Sequence, residues 1–265
     1  MRSPERVEGA GQGWAALRRE LDERAASGRP ARLWLRDDDA VTVTAALERL
    51  IELTGIWRVP VVLAVIPAPA DAGLAARLGE VAHVTAAVHG YAHKNHAPPG
   101  ERRQELGAHR PAGTVLGELR AGLEKLRGMF PGRLIPMLVP PWNRIADALL
   151  PALPGLGFRS LSAYGRELTR EPAPGLSQIN CRLDVIDWRA TRGGLPPDLL
   201  AERLARLIRQ SHSGGEQPIG ILTHHLVHDE EAWGFLDALF KLTAKHAGAA
   251  WQWPDAPAGV IGSKR

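Results

Sequence analysis

The chain has 265 residues, 45% hydrophobic and 23% charged, the composition of a soluble globular fold able to bury a substantial core. Its net charge of +4 comes from basic residues scattered among acids, and no block of five or more Lys/Arg marks a nucleic-acid partner. The single cysteine, Cys181, excludes an intrachain disulfide and Cys-rich zinc modules. The longest apolar run, residues 59–67, is too short for a membrane span, and the charged start at Met1–Arg6 lacks the apolar core of an export leader, so a cytoplasmic location is expected.

Taken in chain order, apolar periodicity places an amphipathic helix near 13–26, with Trp14, Leu17 and Leu21 on one face and Gly28 beyond its end. A strand at 32–36 follows and delivers Asp37-Asp38-Asp39-Ala40. A helix near 44–54 carries Leu47, Leu50 and Ile51 and is expected to stop at Gly55. The nearly continuous Val/Leu/Ile run at 60–66 has the pattern of a strand buried on both faces, as in a parallel sheet. A short helix near 71–79 leads to a third strand that ends at His89, and residues 97–113 read as a long surface loop. Next come a helix near 114–127, a strand at 133–139, a helix at 145–150, a short strand at 157–161 and a sixth strand over 178–186. Asp198 is expected to cap a helix bearing Leu200, Leu204, Leu207 and Ile208, and a strand at 219–223 and a helix near 230–245 follow.

Strand and helix thus alternate about seven times without an internal repeat, which implies a single parallel α/β domain, either a closed barrel or a doubly wound sheet. No Gly-rich phosphate loop follows the first strand, which counts against a nucleotide-binding sheet. Such folds carry their chemistry at the carboxyl ends of their strands. Five of those ends hold unusual residues: Asp37-Asp38-Asp39, His89-x-x-x-His93, Pro140-Pro141-Trp142, Asp187-Trp188 and Leu222-Thr223-His224. Two imidazoles and a carboxylate are the donor set of a divalent-metal site that keeps positions open. Singly, an H-x-x-x-H pair commonly decorates a helix and an Asp triplet commonly forms a solvated turn. Their shared placement is what gives them weight.

In order and chemistry the five motifs resemble those of the polysaccharide deacetylases, the NodB-homology domains of carbohydrate esterase family 4. The resemblance spans roughly residues 31–245, with 1–30 as an N-terminal helical extension. Its nearest correspondence is His89-Gly-Tyr-Ala-His93-Lys-Asn95 with the family pattern H-S-x-S-H-x-N. It implies a distorted (β/α)7 barrel and a divalent metal, zinc first, with iron, cobalt or nickel also admissible. The implied reaction removes an N-acetyl group from an amino sugar or glycan precursor. The alternatives are hydrolysis of another amide or C–N bond at the same metal, or a non-catalytic glycan-binding barrel.

The resemblance makes His89 and His93 metal ligands. Setting Ala40 against the small residue after the family's Asp pair makes Asp38 the catalytic base and Asp39 the third ligand; the other register, Asp37 as base and Asp38 as ligand, stays open. Leu222-Thr223-His224 matches the Leu-x-His motif and makes His224 the general acid, with His225 turned to the opposite side of the strand. Asp184 or Asp187 answers to the acid that charges this histidine. Pro141, Trp142, Asp187 and Trp188 answer to the substrate-binding walls. The chain departs from the pattern at Val139, where the family has an arginine that pairs with the base; Arg36 and Arg144 are the candidates to replace it. Asn143 and Ala40 stand where the family has glycine.

Overall fold

A computed structural model describes residues 11–167, 169–211 and 217–254; the expectation for Met1–Arg6, and the first part of the N-terminal extension, lie outside these. The chain runs α1 (Gln12–Ala26), β1 (Ala31–Ala40), α2 (Ala45–Trp57), β2 (Val61–Val65), α3 (Ala72–Gly79), β3 (Val84–His89), α4 (Ala112–Met129) and β4 (Leu134–Val139). It continues with α5 (Leu153–Leu156), β5 (Ser160–Leu161), β6 (Ser177–Gln178), β7 (Cys181–Asp184), α6 (Pro197–Ser211), β8 (Ile219–Thr223), α7 (Glu230–Thr243) and β9 (Ala249–Trp251).

The main path through the sheet is β6-β5-β4-β3-β2-β1-β8-β7, with every neighbouring pair parallel. β6 and β7 are successive parts of one extended segment. Its first part pairs with β5; the Cys181 N–H then donates to the Ala163 carbonyl and the Gly165 N–H to that of Cys181. Its second part pairs with β8, Cys181 lying opposite Gly220. One segment therefore joins both edges, and the sheet curls into a distorted barrel of seven strand positions, the (β/α)7 form.

Strand alternation sorts the core into two layers. Trp34, Val62, Ala64, Ala87, Met137, Val139, Cys181 and Leu222 fill the inside of the barrel. Leu33, Leu35, Val61, Leu63 and Val65 belong to the layer shared with the helices. Gly220 makes room for the indole inside: a Cβ there would sit 2.7 Å from the Trp34 ring.

Local chemistry explains the starts of three helices. Thr44, Asp71 and Asp229 each accept the N–H three residues on and cap α2, α3 and α7. Three sequence expectations are corrected. Gly55 lies inside α2, where the absent side chain lets the His83 ring approach, and the helix ends at Arg58 in the left-handed conformation, φ 55°. Asp198 lies within α6 and caps another helix: its Oδ1 accepts the N–H groups of Gly11, Gly13 and Trp14 at the start of α1. The helix expected at 145–150 is a 3-10 turn, Asp147–Ala152, because Pro151 and Pro154 lack the N–H groups an α-helix needs. β9, which pairs with the start of β1, is a strand that periodicity does not announce.

Candidate metal and catalytic site

β1 carries the acidic triplet inside the strand. Against β2 its register runs Asp37↔Leu63 and then Ala40↔Val65, so β1 holds one extra residue, a β-bulge. Asp39 takes the left-handed conformation there, φ 74°. Strict alternation would send Asp37 and Asp39 the same way; the bulge separates them. Asp37 turns towards β8, Asp38 points into the barrel with Arg36, and Asp39 turns to the histidines at the end of β3.

Asp39 Oδ1 lies 3.0 Å from His89 Nε2 and 3.3 Å from His93 Nε2. Among the described residues this is the one group of three or more His, Cys, Asp or Glu whose donor atoms converge, all within 4.8 Å of each other. His89 Nδ1 donates to the Val139 carbonyl at 2.9 Å, which leaves Nε2 as its coordinating nitrogen. The two carboxylate–imidazole spacings suit a tetrahedral divalent ion, whose bonds of about 2.0–2.1 Å place ligand atoms roughly 3.3 Å apart. Burial works against ionised Asp39, but the hydrogen bond and charge of His89 outweigh it and hold the carboxyl below its usual range. For His89, burial is overcome by Asp39 and Asp38, and its pKa is raised; burial and the charge of His89 lower that of His93. The geometry thus gathers Asp39, rather than Asp38, with the two histidines.

Asp38 faces a different partner. Arg36 Nε and Nη2 meet its two carboxylate oxygens at 2.9 and 3.0 Å, a bidentate pair with both side chains buried. The remaining guanidinium hydrogens go to the Ser162 carbonyl and hydroxyl, the Ala163 carbonyl and Asn143 Oδ1. Of the two candidate arginines, Arg36 is thus the one paired with Asp38, while Arg144 donates to the Arg103 carbonyl. Asn143 is one of the anchors of Arg36.

Across the barrel mouth, His224 Nε2 lies 4.0 Å from Asp38 Oδ2. The Trp188 ring packs edge-on against His224 at 4.7 Å, and its Nε1–H donates to Asp184 Oδ2. Burial raises the Asp184 pKa, opposed by His224 and by the N–H groups of Ile186 and Trp188. Of the two candidate acids, Asp184 is the one beside His224. The Asp187 carboxylate instead closes its own turn by accepting from Arg189 and Ala190. The Trp142 ring packs against His93 at 4.3 Å, tilted by 51°, and Pro141 is buried beside Gly90.

His225 does turn away from His224, but to a buried partner: its Nδ1–H donates to Asp37 Oδ1, while Asp37 Oδ2 accepts from Thr223 Oγ1 and the His225 N–H. Burial opposes the charged imidazole, yet the Asp37 carboxylate keeps the His225 pKa above its ordinary value. The pair supports the strand end from behind.

Sequence reasoning missed Glu105. It lies in the supposed surface loop yet is 1% exposed, its carboxylate accepting the N–H groups of Tyr91, Ala92 and Lys94. A polar side chain near the end of a long loop carried no signal of this inward turn. A second feature the sequence concealed is strain: Asp39, His93, Trp142 and Asn143 are four of the six non-glycine residues with positive φ among the described residues. Each such conformation costs on the order of 1 kcal/mol, and such residues concentrate at functional sites.

No protein-family sequence profile matches the chain, and no curated protein matches it by sequence. Solved structures do. A Mycobacterium smegmatis protein assigned to the polysaccharide deacetylases superposes with a TM-score of 0.61 at 17% identity, over 86% of this chain and 87% of its own. The family 4 carbohydrate esterase of Streptomyces lividans, solved with acetate, gives 0.53 at 12% identity, over 82% and 90%. A family 4 pseudoenzyme from Bacillus anthracis gives 0.53 at 14% identity, over 80% of this chain and 60% of its own. The fold of this chain is that of the polysaccharide deacetylases of carbohydrate esterase family 4.

Proposed function

We propose that this protein is a metal-dependent hydrolase that removes an N-acetyl group from an amino sugar or glycan precursor. The observation that carries the reading is the joint geometry at the barrel mouth: three converging ligand atoms, a buried carboxylate paired with arginine, and an imidazole 4.0 Å across from it. The fold it shares with the family 4 esterases supports the same chemistry.

Asp39, His89 and His93 would hold the ion, zinc in the first instance, which supplies Lewis acidity and a water of lowered pKa. Asp38, gripped by the Arg36 guanidinium, takes the proton from the attacking water. The backbone N–H of Trp142, by resemblance to the family, receives the developing oxyanion. His224 then gives its proton to the departing nitrogen, which would otherwise leave as an unstable anion. Trp188 and Trp142 wall the two sides of the mouth through their ring contacts with His224 and His93, and Pro141 backs the second wall.

The test is metal analysis of the purified protein followed by acetate release from a panel of N-acetylated sugars. Stoichiometric metal with acetate release is the expected outcome. Stoichiometric metal with no release across the panel would move the reading to another amide or C–N bond, and absence of bound metal after zinc loading would leave a non-catalytic barrel.

A further inference from the structure

Glu105 reaches the ligand loop from outside every motif. Oε1 accepts the Ala92 N–H at 2.8 Å and the Lys94 N–H at 3.3 Å, while Oε2 accepts the Tyr91 N–H at 3.0 Å. These donors flank His93, which the loop holds at φ 54°. The carboxylate fills space that glycine leaves: a Cβ on Gly90, itself at φ 60°, would lie 2.1 Å from Oε2 and 2.5 Å from the Pro141 ring. The intervening stretch is closed at its base, the His96 N–H donating to the Gln104 carbonyl and the Gln104 N–H to Asn95 Oδ1. Arg110 holds the Glu105 carbonyl, and the next residue, Leu106, accepts the Ala146 N–H beyond the Trp142 turn.

We infer that Glu105 is a positioning residue for the cation site: as a buried anion it folds the His89–His93 loop and so sets the affinity of the loop for a divalent metal. This rests on the metal-site reading above. A carboxylate accepting several backbone N–H groups makes strong, charge-assisted bonds. An outer partner that fixes ligand geometry typically changes metal affinity by about 10–100-fold. Gln has the same shape but one oxygen, so its NH2 group must face a loop N–H.

The experiment measures zinc dissociation constants by competition with a chromophoric chelator for the full-length wild type, Glu105→Gln, and Leu204→Ala as a destabilised control in the α6 core. The expected result is a roughly 10–100-fold weaker Kd for Glu105→Gln, with Leu204→Ala lowering the unfolding midpoint but not the zinc affinity. Wild-type binding with an unchanged Glu105→Gln overturns this inference alone, as does an equal loss in Leu204→Ala; no zinc binding by the wild type overturns both it and the metal-site reading. If Glu105→Gln does not fold, Glu105→Asp, which keeps the charge but withdraws the oxygens, must weaken binding in the same direction. Zinc binding by Glu105→Asp as tight as the wild type would equally refute it.

Discussion

At the scale of single residues, the buried Arg36–Asp38 pair carries the sharpest consequence. Removing the guanidinium strands a carboxylate inside the barrel, and such losses typically cost about 3–5 kcal/mol. Arg36→Gln should therefore lower unfolding free energy by about that much in denaturant titrations, and Arg36→Lys should not restore it, because an ammonium cannot grip both oxygens. Asp38→Asn should retain one metal per chain while cutting the rate of the proposed reaction by at least about 100-fold; comparing metal content with turnover checks it, and wild-type turnover would remove Asp38 as the base. A second residue-scale effect concerns acid. His228 packs edge-on against Trp233, with Nε2 accepting the His224 N–H, and burial pushes its pKa down to about 4. An unfolded histidine titrates near about 6.5. Between those values the unfolded chain takes up a proton that the folded one refuses, so stability attributable to His228 falls as pH drops through that window. Urea unfolding in chelator should show a steeper loss between pH 7 and 5 for the wild type than for His228→Gln. Equal slopes would count against it.

At the scale of elements, what was legible in the sequence was what is local. The helices expected from about 44, 71 and 230 do begin there, where Thr44, Asp71 and Asp229 bond within their own first turns, and the apolar runs of β2, β3 and β8 need only their own composition to be read. Non-local bonds were not legible. Asp198 caps a helix 185 residues away at Gly13, so its place before an apolar stripe suggested the wrong helix. Asp198→Ala should cost about 1 kcal/mol or more in unfolding free energy by freeing three N–H groups at once; an unchanged denaturation curve would show water serves them as well. The acidic triplet was half legible for a related reason. Arg36 was named only beside Arg144 as a candidate partner for the base, and the register of the ligand was left open because the bulge, and the left-handed turn at Asp39, depend on how β1 meets β2. Glu105 was hidden entirely, since its partners are backbone groups that any sequence would supply.

At the scale of the whole molecule, the three proposed ligands come from β1 and the end of β3, strands that β2 separates in the sheet, so at least this part of the sheet must be formed before they meet. A ligand that binds only the folded form then adds to stability by mass action, about 2.7 kcal/mol at a hundred times its Kd. Zinc should raise the thermal midpoint of the wild type and chelator should reverse it, whereas Asp39→Asn should respond to neither; an equal zinc response from that variant would place the ion elsewhere. No helix among the described residues is long and apolar enough to cross a membrane. Seven strand–helix units were countable from periodicity alone, but closure was not, because it depends on one segment changing partner between Gln178 and Cys181.

The arginine that steadies Asp38 sits two residues before it on the same strand. Where a base and its counter-charge come from different strands, their spacing varies whenever those strands breathe or their loops are rebuilt. Here the two travel as one piece of backbone. The turn after β4 contributes only an acceptor to the pair, Asn143 Oδ1, so the counter-charge of Asp38 stays on its own strand however the rest of the rim is rebuilt.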